Sequence, residues 1–205
     1  RDLDIDLFEV INPGGERNRE RTEALRLDWL SFVKQGEKIV ATANSDSHGS
    51  SEQVAVPRTM VAMADDRVTN FEQSEFLSSL KSGNAYGTTG PLLDISLSGA
   101  TMGGMFSGQR GQLSLKIKSA KWIPVNLVEV QINGETVDQY QLNEGSEHVL
   151  LIPLWFDKDS FVTVEVSGPA SIDYQHVYPY LEPYAFSNPI YVDFNSDGEW
   201  QAPGL

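Results

Sequence analysis

The feature that most constrains this chain is a change of rhythm near Pro91. Beyond it, seven segments are short and mostly alternate between apolar and polar residues: Leu93–Ser98, Gln112–Lys118, Leu127–Ile132, Glu135–Tyr140, His148–Pro153, Phe161–Val166 and Ile190–Phe194. A period of two is the pattern of a strand with one buried face. Asn133-Gly134, between two such segments, is the signature of a tight hairpin, because both central residues of a type I′ turn need positive φ. Seven short strands in about 100 residues predict an antiparallel, Ig-like β-sandwich over 92–205.

Residues 1–91 read differently. Ile5 to Ile11 is β-rich and ends in the turn cluster Asn12-Pro13-Gly14-Gly15. A helix is expected from about Arg17, carried by Leu25, Trp29, Phe32 and Val33 at helical spacing and closed at Gly36. Lys38–Ala43 reads as a short buried strand, and a polar loop from Asn44 to Ser51 follows. Thr69 and Glu72 are spaced as a capping box before a helix through Phe76, Leu77 and Leu80 that stops at Gly83. Ala85–Thr88 is a further short strand ending at Gly90-Pro91. Strand, helix, strand, helix, strand is the order of an α/β unit with parallel strands. It is too short to close a sheet, so the end of a larger barrel is expected. The fold class is therefore read as α/β plus all-β, with the boundary near residue 91.

Charge and composition narrow the function. Acidic residues outnumber basic ones 29 to 15, which argues against binding a nucleic-acid backbone or an anionic membrane surface. There is no cysteine, so thiol catalysis and cysteine-ligated zinc are excluded. No apolar run reaches the roughly 18 residues of a spanning helix, so no membrane segment is expected. Compartment stays open. Imidazole chemistry must come from His48, His148 or His176.

Asn44-Ser45-Asp46-Ser47-His48 is the most informative stretch. A carboxylate and an imidazole two residues apart, just past the end of a buried strand, can face one crevice and ligate a divalent metal. The competing reading is a polar loop with Asp46 capping a turn and His48 in solvent. Glu9, at the end of the first strand, is a candidate ligand, base or supporting carboxylate. Asn12 and Arg58 are candidates for holding substrate, Arg58 because a guanidinium pairs bidentately with phosphate or carboxylate.

These phrases, in order, resemble the PHP (polymerase and histidinol phosphatase) metallohydrolase superfamily, and within it the carbaryl-hydrolase-like branch. The resemblance is carried by Phe8-Glu9-Val10-Ile11-Asn12, the segment Trp29 to Gly36, Ala43-Asn44-Ser45-Asp46-Ser47-His48, Pro57-Arg58-Thr59, Tyr86-Gly87-Thr88-Thr89-Gly90-Pro91, and Ala185-Phe186-Ser187-Asn188-Pro189-Ile190-Tyr191-Val192-Asp193. It implies the C-terminal segment of a (β/α)7 barrel followed by a β-sandwich. It also implies metal ligation by Asp46 and His48 in a Zn, Mn or Fe site that activates water against small phosphoesters or related esters. The family's upstream His-x-His pair is absent from this chain. The resemblance therefore implies that the upstream half of a barrel completes the site, and that the chain alone is inactive. A cut barrel would also expose sheet edges, making a second copy an expected partner. The alternative is a non-catalytic β-sandwich module that binds a glycan or a protein, with a degenerate α/β remnant.

Three further stretches carry weaker signals. Asp193, Asn195 and Asp197 match the start of an EF-hand-like calcium loop, but Gly204 stands where the bidentate Glu belongs, and an Asx-rich turn is the favoured reading. Thr88 and Thr89 are read as turn stabilisers. Tyr174, Tyr178, Tyr180 and Tyr184 form an aromatic run that either lines a carbohydrate or partner site or packs on its own domain, the second being favoured.

Overall fold

The computed structural model describes residues 4–13, 18–50 and 53–204. The expected Gly14-Gly15 turn and the helix start at Arg17 lie outside these. The chain is a β-sandwich with a β-α-β layer on one face. A four-stranded sheet has the order β11 (Glu147–Trp155), β8 (Arg110–Lys118), β5 (Leu92–Leu97), β6 (Ala100–Thr101). An eight-stranded sheet runs β10 (Glu135–Gln141), β9 (Leu127–Ile132), β12 (Ser160–Ser167), β13 (Tyr184–Ser187), β4 (Ala85–Thr88), β3 (Arg58–Val61). In the same sheet β14 (Ile190–Asp193) pairs with β12 and with β7 (Met105–Ser107). All seven expected sandwich strands form. At the β9–β10 hairpin, Asn133 and Gly134 take the positive φ angles of 55° and 77° that their residue types tolerate.

Between the sheets, alternate residues interdigitate: Ile95, Leu97, Leu113, Leu115 and Ile117 from one, Val128, Val130, Val162, Val164 and Val166 from the other. The second face of the large sheet is also covered. Strand β1 (Leu7–Ile11), helix α1 (Asn18–Lys34) and strand β2 (Val40–Ala43) form one β-α-β unit with β1 and β2 parallel. Trp29, Leu30 and Val33 of α1 share a core with Val10, Ile11, Ala41 and Ala43 and with Phe161, Phe186 and Tyr191 of the sheet. The Trp29 indole N–H donates to the Ile39 carbonyl (2.8 Å), satisfying its one polar atom inside that core.

The expectation of a barrel segment is overturned by this topology. Among the described residues there is no (β/α)7 barrel segment: β1 and β2 form a sheet of their own, and β4 does not extend it. Instead β4 pairs antiparallel with β13 on one side and with β3 on the other. Residues 58–88 thus supply two strands to the large sheet. Gly90-Pro91 is where the chain leaves that sheet and enters the other at β5. Thr88 and Thr89 fasten this crossing. The Thr88 hydroxyl donates to the Pro91 carbonyl (2.6 Å), and that of Thr89 to the Glu182 carbonyl (2.6 Å).

Side chains, not a backbone ladder, join β2 to the large sheet. The Asn188 carboxamide, fully buried in the break between β13 and β14, accepts from Ala41 N–H (2.8 Å). It donates to the carbonyls of Ala41 (3.0 Å) and Ala85 (2.9 Å). The Thr59 hydroxyl likewise accepts from Ala43 N–H and donates to the Ala43 carbonyl, both at 2.9 Å. Close approach requires Gly87, where a Cβ would lie 2.9 Å from that of Ala43 and 2.3 Å from the Phe186 ring.

The expected capping box is not formed. Thr69 lies in a short 3-10 turn, and helix α2 (Gln73–Ser82) is capped at Glu72 without a side-chain bond. Glu72 sits at the cap itself, one position before the helix, so it cannot reach back as a box requires. Gly83 ends α2 in the left-handed conformation, as expected.

Candidate functional site

The parallel β1–β2 pair places its two C-terminal ends side by side. Glu9 stands opposite Thr42 and Ile11 opposite Ala43, with a register shift between them. Asn44 N–H then bonds the Ile11 carbonyl (2.9 Å), carrying the pairing one step past the strands. Asn12 and the loop from Asn44 to His48 therefore emerge together.

Their side chains form one hydrogen-bonded series. The Asn44 amide donates to Glu9 Oε2 (2.7 Å). The Asn12 amide donates to Glu9 Oε1 and to Asp46 Oδ2, the latter at 3.2 Å. Asp46 Oδ1 lies 2.7 Å from His48 Nε2. Bonds from Asn12 and then His48 hold the Asp46 carboxyl below the usual carboxylate range, with Arg21 adding a weaker pull in the same direction. Asp46 also has a φ of 48°, in the left-handed region that Asp tolerates better than most residues. The cluster is open to solvent: the side chains of His48 and Asp46 are 78% and 47% exposed.

Four of the five sequence candidates, Glu9, Asn12, Asp46 and His48, are thus brought together, and Asn44 joins them. Arg58 is not. It sits on β3 and donates to the Ala55 carbonyl (3.3 Å), with its charge felt at Tyr86 and Tyr174. The donor set of carboxylate oxygens and one imidazole is of the kind divalent zinc or manganese accepts. Among the described residues no group of three or more His, Asp or Glu is placed to hold a metal ion. The Asn12 amide occupies the space between the Glu9 and Asp46 carboxylates, and the Asp46–His48 contact closes the other side.

At the calcium candidate, the Asp193 carboxylate is buried and turned inward. It accepts from the backbone N–H of Asp197 and Gly198 and from the Ser107 hydroxyl. Asp197 in turn accepts from Asn195 and from Glu199 N–H. This is the geometry of an Asx turn.

A second constellation escaped the sequence reading. Between α1, the outer face of β9 and β12, and the segment 168–184 lies a cleft of about 670 Å³. On its wall Arg26 pairs with Glu165 at 2.6 Å, with side chains only 15% and 11% exposed. Gln131 donates to the same Glu165 oxygen (2.7 Å) and the Tyr184 hydroxyl to the other (2.8 Å). Burial, together with the Glu165 charge, pushes the Tyr184 hydroxyl well above its ordinary pKa, so it stays a donor. Thr163 and Glu165 alternate with apolar neighbours along β12, yet both are buried. Of the aromatic run, Tyr174 packs on Trp122 and Tyr178, whereas Tyr180 stands at the cleft.

No family model and no curated protein matches this chain. Similar solved structures include the CARDB domain of PF1109 from Pyrococcus furiosus, determined by NMR. It is 14% identical over 52% of this chain and 97% of that one, with a TM-score of 0.33. A crystal structure of the same domain in complex with di-metal ions is 16% identical over 50% and 94% of the two chains, with a TM-score of 0.31. Likeness at this level carries no weight for the site.

Proposed function

We propose that the cluster at the ends of β1 and β2 binds a divalent cation and forms part of the hydrolytic site of a PHP-type, metal-dependent enzyme acting on small phosphoesters or related esters. The observation that supports this reading is the convergence of Glu9, Asn12, Asp46 and His48 from two separated segments into one exposed series. Asp46 and His48 supply the ligand atoms. Asn12 orients the Asp46 carboxylate, and Glu9 becomes a third ligand or a base once the Asn12 amide turns aside. A bound cation would polarise an ester oxygen and acidify water. Two or three ligands make a weak site, so further ligands come from outside this chain and the chain alone has no turnover.

Calorimetric titration with Zn²⁺ or Mn²⁺ tests this. Saturable binding with Kd of about 10–1,000 μM, lost in Asp46→Asn and His48→Ala, is expected. Absence of saturable binding refutes the cation site. Metal-dependent hydrolysis of p-nitrophenyl phosphate by this chain alone refutes its incompleteness.

A second reading, a non-catalytic β-sandwich binding module, is favoured by a different observation. The 670 Å³ cleft is lined by α1 and the sandwich and not by Asp46 or His48.

A further inference from the structure

We infer that the open edge of β11 is a self-association surface, on which a second copy of this chain adds its own β11 antiparallel and makes one sheet continuous across the two molecules. This goes beyond the functional readings above, because the four-stranded sheet carries none of Glu9, Asn12, Asp46 and His48. Strand β11 ends that sheet. It pairs with β8 along its whole length and, among the described residues, with no other strand. The bonds from Ser119 N–H to the Ser146 carbonyl and from Phe156 N–H to the Gln109 carbonyl, both 2.9 Å, turn the backbone groups of the even-numbered residues towards β8. Such groups alternate sides along an antiparallel strand, so Glu147, Val149, Leu151, Pro153 and Trp155 turn theirs to the open edge. Pro153, which has no N–H, is suited to that side. The side chains of the same residues stand on the outer face, with Val149 63%, Leu151 60% and Trp155 61% exposed.

A long strand that offers backbone bonds and apolar side chains together is a template for another strand. The edge of the large sheet shows the contrast: β10 carries Glu135 and Asp138 and a register shift between Thr136 and Asp138, devices that blunt an edge. The pattern of β11 itself selects a second copy. With Leu150 on a two-fold axis, Val149 of one copy stands opposite Leu151 of the other, so apolar meets apolar on the outer face. On the inner face the two Leu150 side chains meet, each only half-buried against its own sandwich core. This register makes about six backbone bonds and leaves Pro153 at the end of the ladder, opposite Glu147, where the missing N–H matters least. Charge favours the same edge. Strands β8 and β11 carry Arg110, Lys116 and Lys118 against Glu147, a locally basic strip on a chain of net charge −14, so the acidic excess of an approaching copy is offset here. A strand pair of this length buries little area, so the dimer is weak and depends on concentration.

The test is sedimentation equilibrium of the whole chain in EDTA, from about 5 to about 500 μM, with amide hydrogen exchange at both ends of that range. A monomer–dimer equilibrium with Kd of about 10–200 μM is expected, with the Val149 and Leu151 amides at least about fivefold better protected in the concentrated sample. Val149→Lys and Leu151→Lys each set a cation on the pairing line and are expected to weaken the dimer at least about tenfold. Both side chains are exposed, so the dilute variants should melt with the parent. A chain that stays monomeric to about 500 μM overturns the inference. So does a dimer that survives Leu151→Lys, as one formed through β1 would, or one in which Val149 and Leu151 exchange no more slowly. Protection of these amides by an extended strand of another protein, with the chain alone monomeric, likewise overturns the second copy as the occupant. EDTA keeps the outcome separate from the cation site.

Discussion

Replacing Asn188 by alanine should detach the β-α-β layer from the sandwich. The carboxamide makes three buried bonds, to Ala41 N–H, the Ala41 carbonyl and the Ala85 carbonyl. A buried hydrogen bond contributes about 1 kcal/mol net, and an orphaned buried partner adds about 1–3 kcal/mol. Alanine leaves Ala41 N–H without an acceptor and two carbonyls short of a donor, so a loss of about 3–5 kcal/mol is expected. For a chain of this size that is a fall in Tm of roughly 8–15 °C. Asn188→Asp keeps the acceptor for Ala41 N–H but aims a second oxygen at two carbonyls, and should be at least as damaging. Thermal denaturation gives the global effect, and hydrogen exchange at the Ala41 and Ala43 amides gives the local one. A loss below about 1 kcal/mol, with Ala41 as protected as before, would refute side-chain stitching as what holds this layer.

Other perturbations follow from the same contacts. Arg26→Met leaves the Glu165 charge buried without its cation and should cost about 3–5 kcal/mol in urea denaturation, with partial recovery when Glu165→Gln is added. Gly87→Ala pushes a methyl into the Phe186 ring and Ala43, so the melting curve should show a loss of about 1–3 kcal/mol or more. The depressed Asp46 pKa means that the folded state binds this proton less tightly than the unfolded chain does. Its contribution is therefore complete above the ordinary value of 3.8 and fades as pH falls through the folded value. An NMR titration of the Asp46 carboxyl should show a midpoint below 3.8 that rises towards it in Asn12→Ala.

How much of this was readable in the residues depended on range. The Asn133-Gly134 hairpin, the inward apolar rows of β8 and β12, the glycine stop after α2 and the β1-α1-β2 order are local signals, and all formed. Asp46 and His48 stood out by their spacing of two, and Glu9 and Asn12 by their place at the end of the first strand. The direction of β4 was not local. A short apolar strand after a helix looks the same whether it extends a parallel sheet or enters an antiparallel one, and here the pairing is decided by β13, about 100 residues away. The cleft network was hidden for the same reason: Arg26 and Glu165 lie 139 positions apart. The alternation of β12 gave no sign of it, because a polar residue facing a second layer looks like one facing water.

The most direct test of the central claim is paramagnetic broadening of the amide spectrum by sub-stoichiometric Mn²⁺. Broadening centred on Glu9, Asn12 and the Asn44–His48 loop, abolished in Asp46→Asn, is the predicted result. Broadening that spares this loop, or that centres on Asp193–Asp197 instead, would contradict the assignment of Asp46 and His48 as cation ligands.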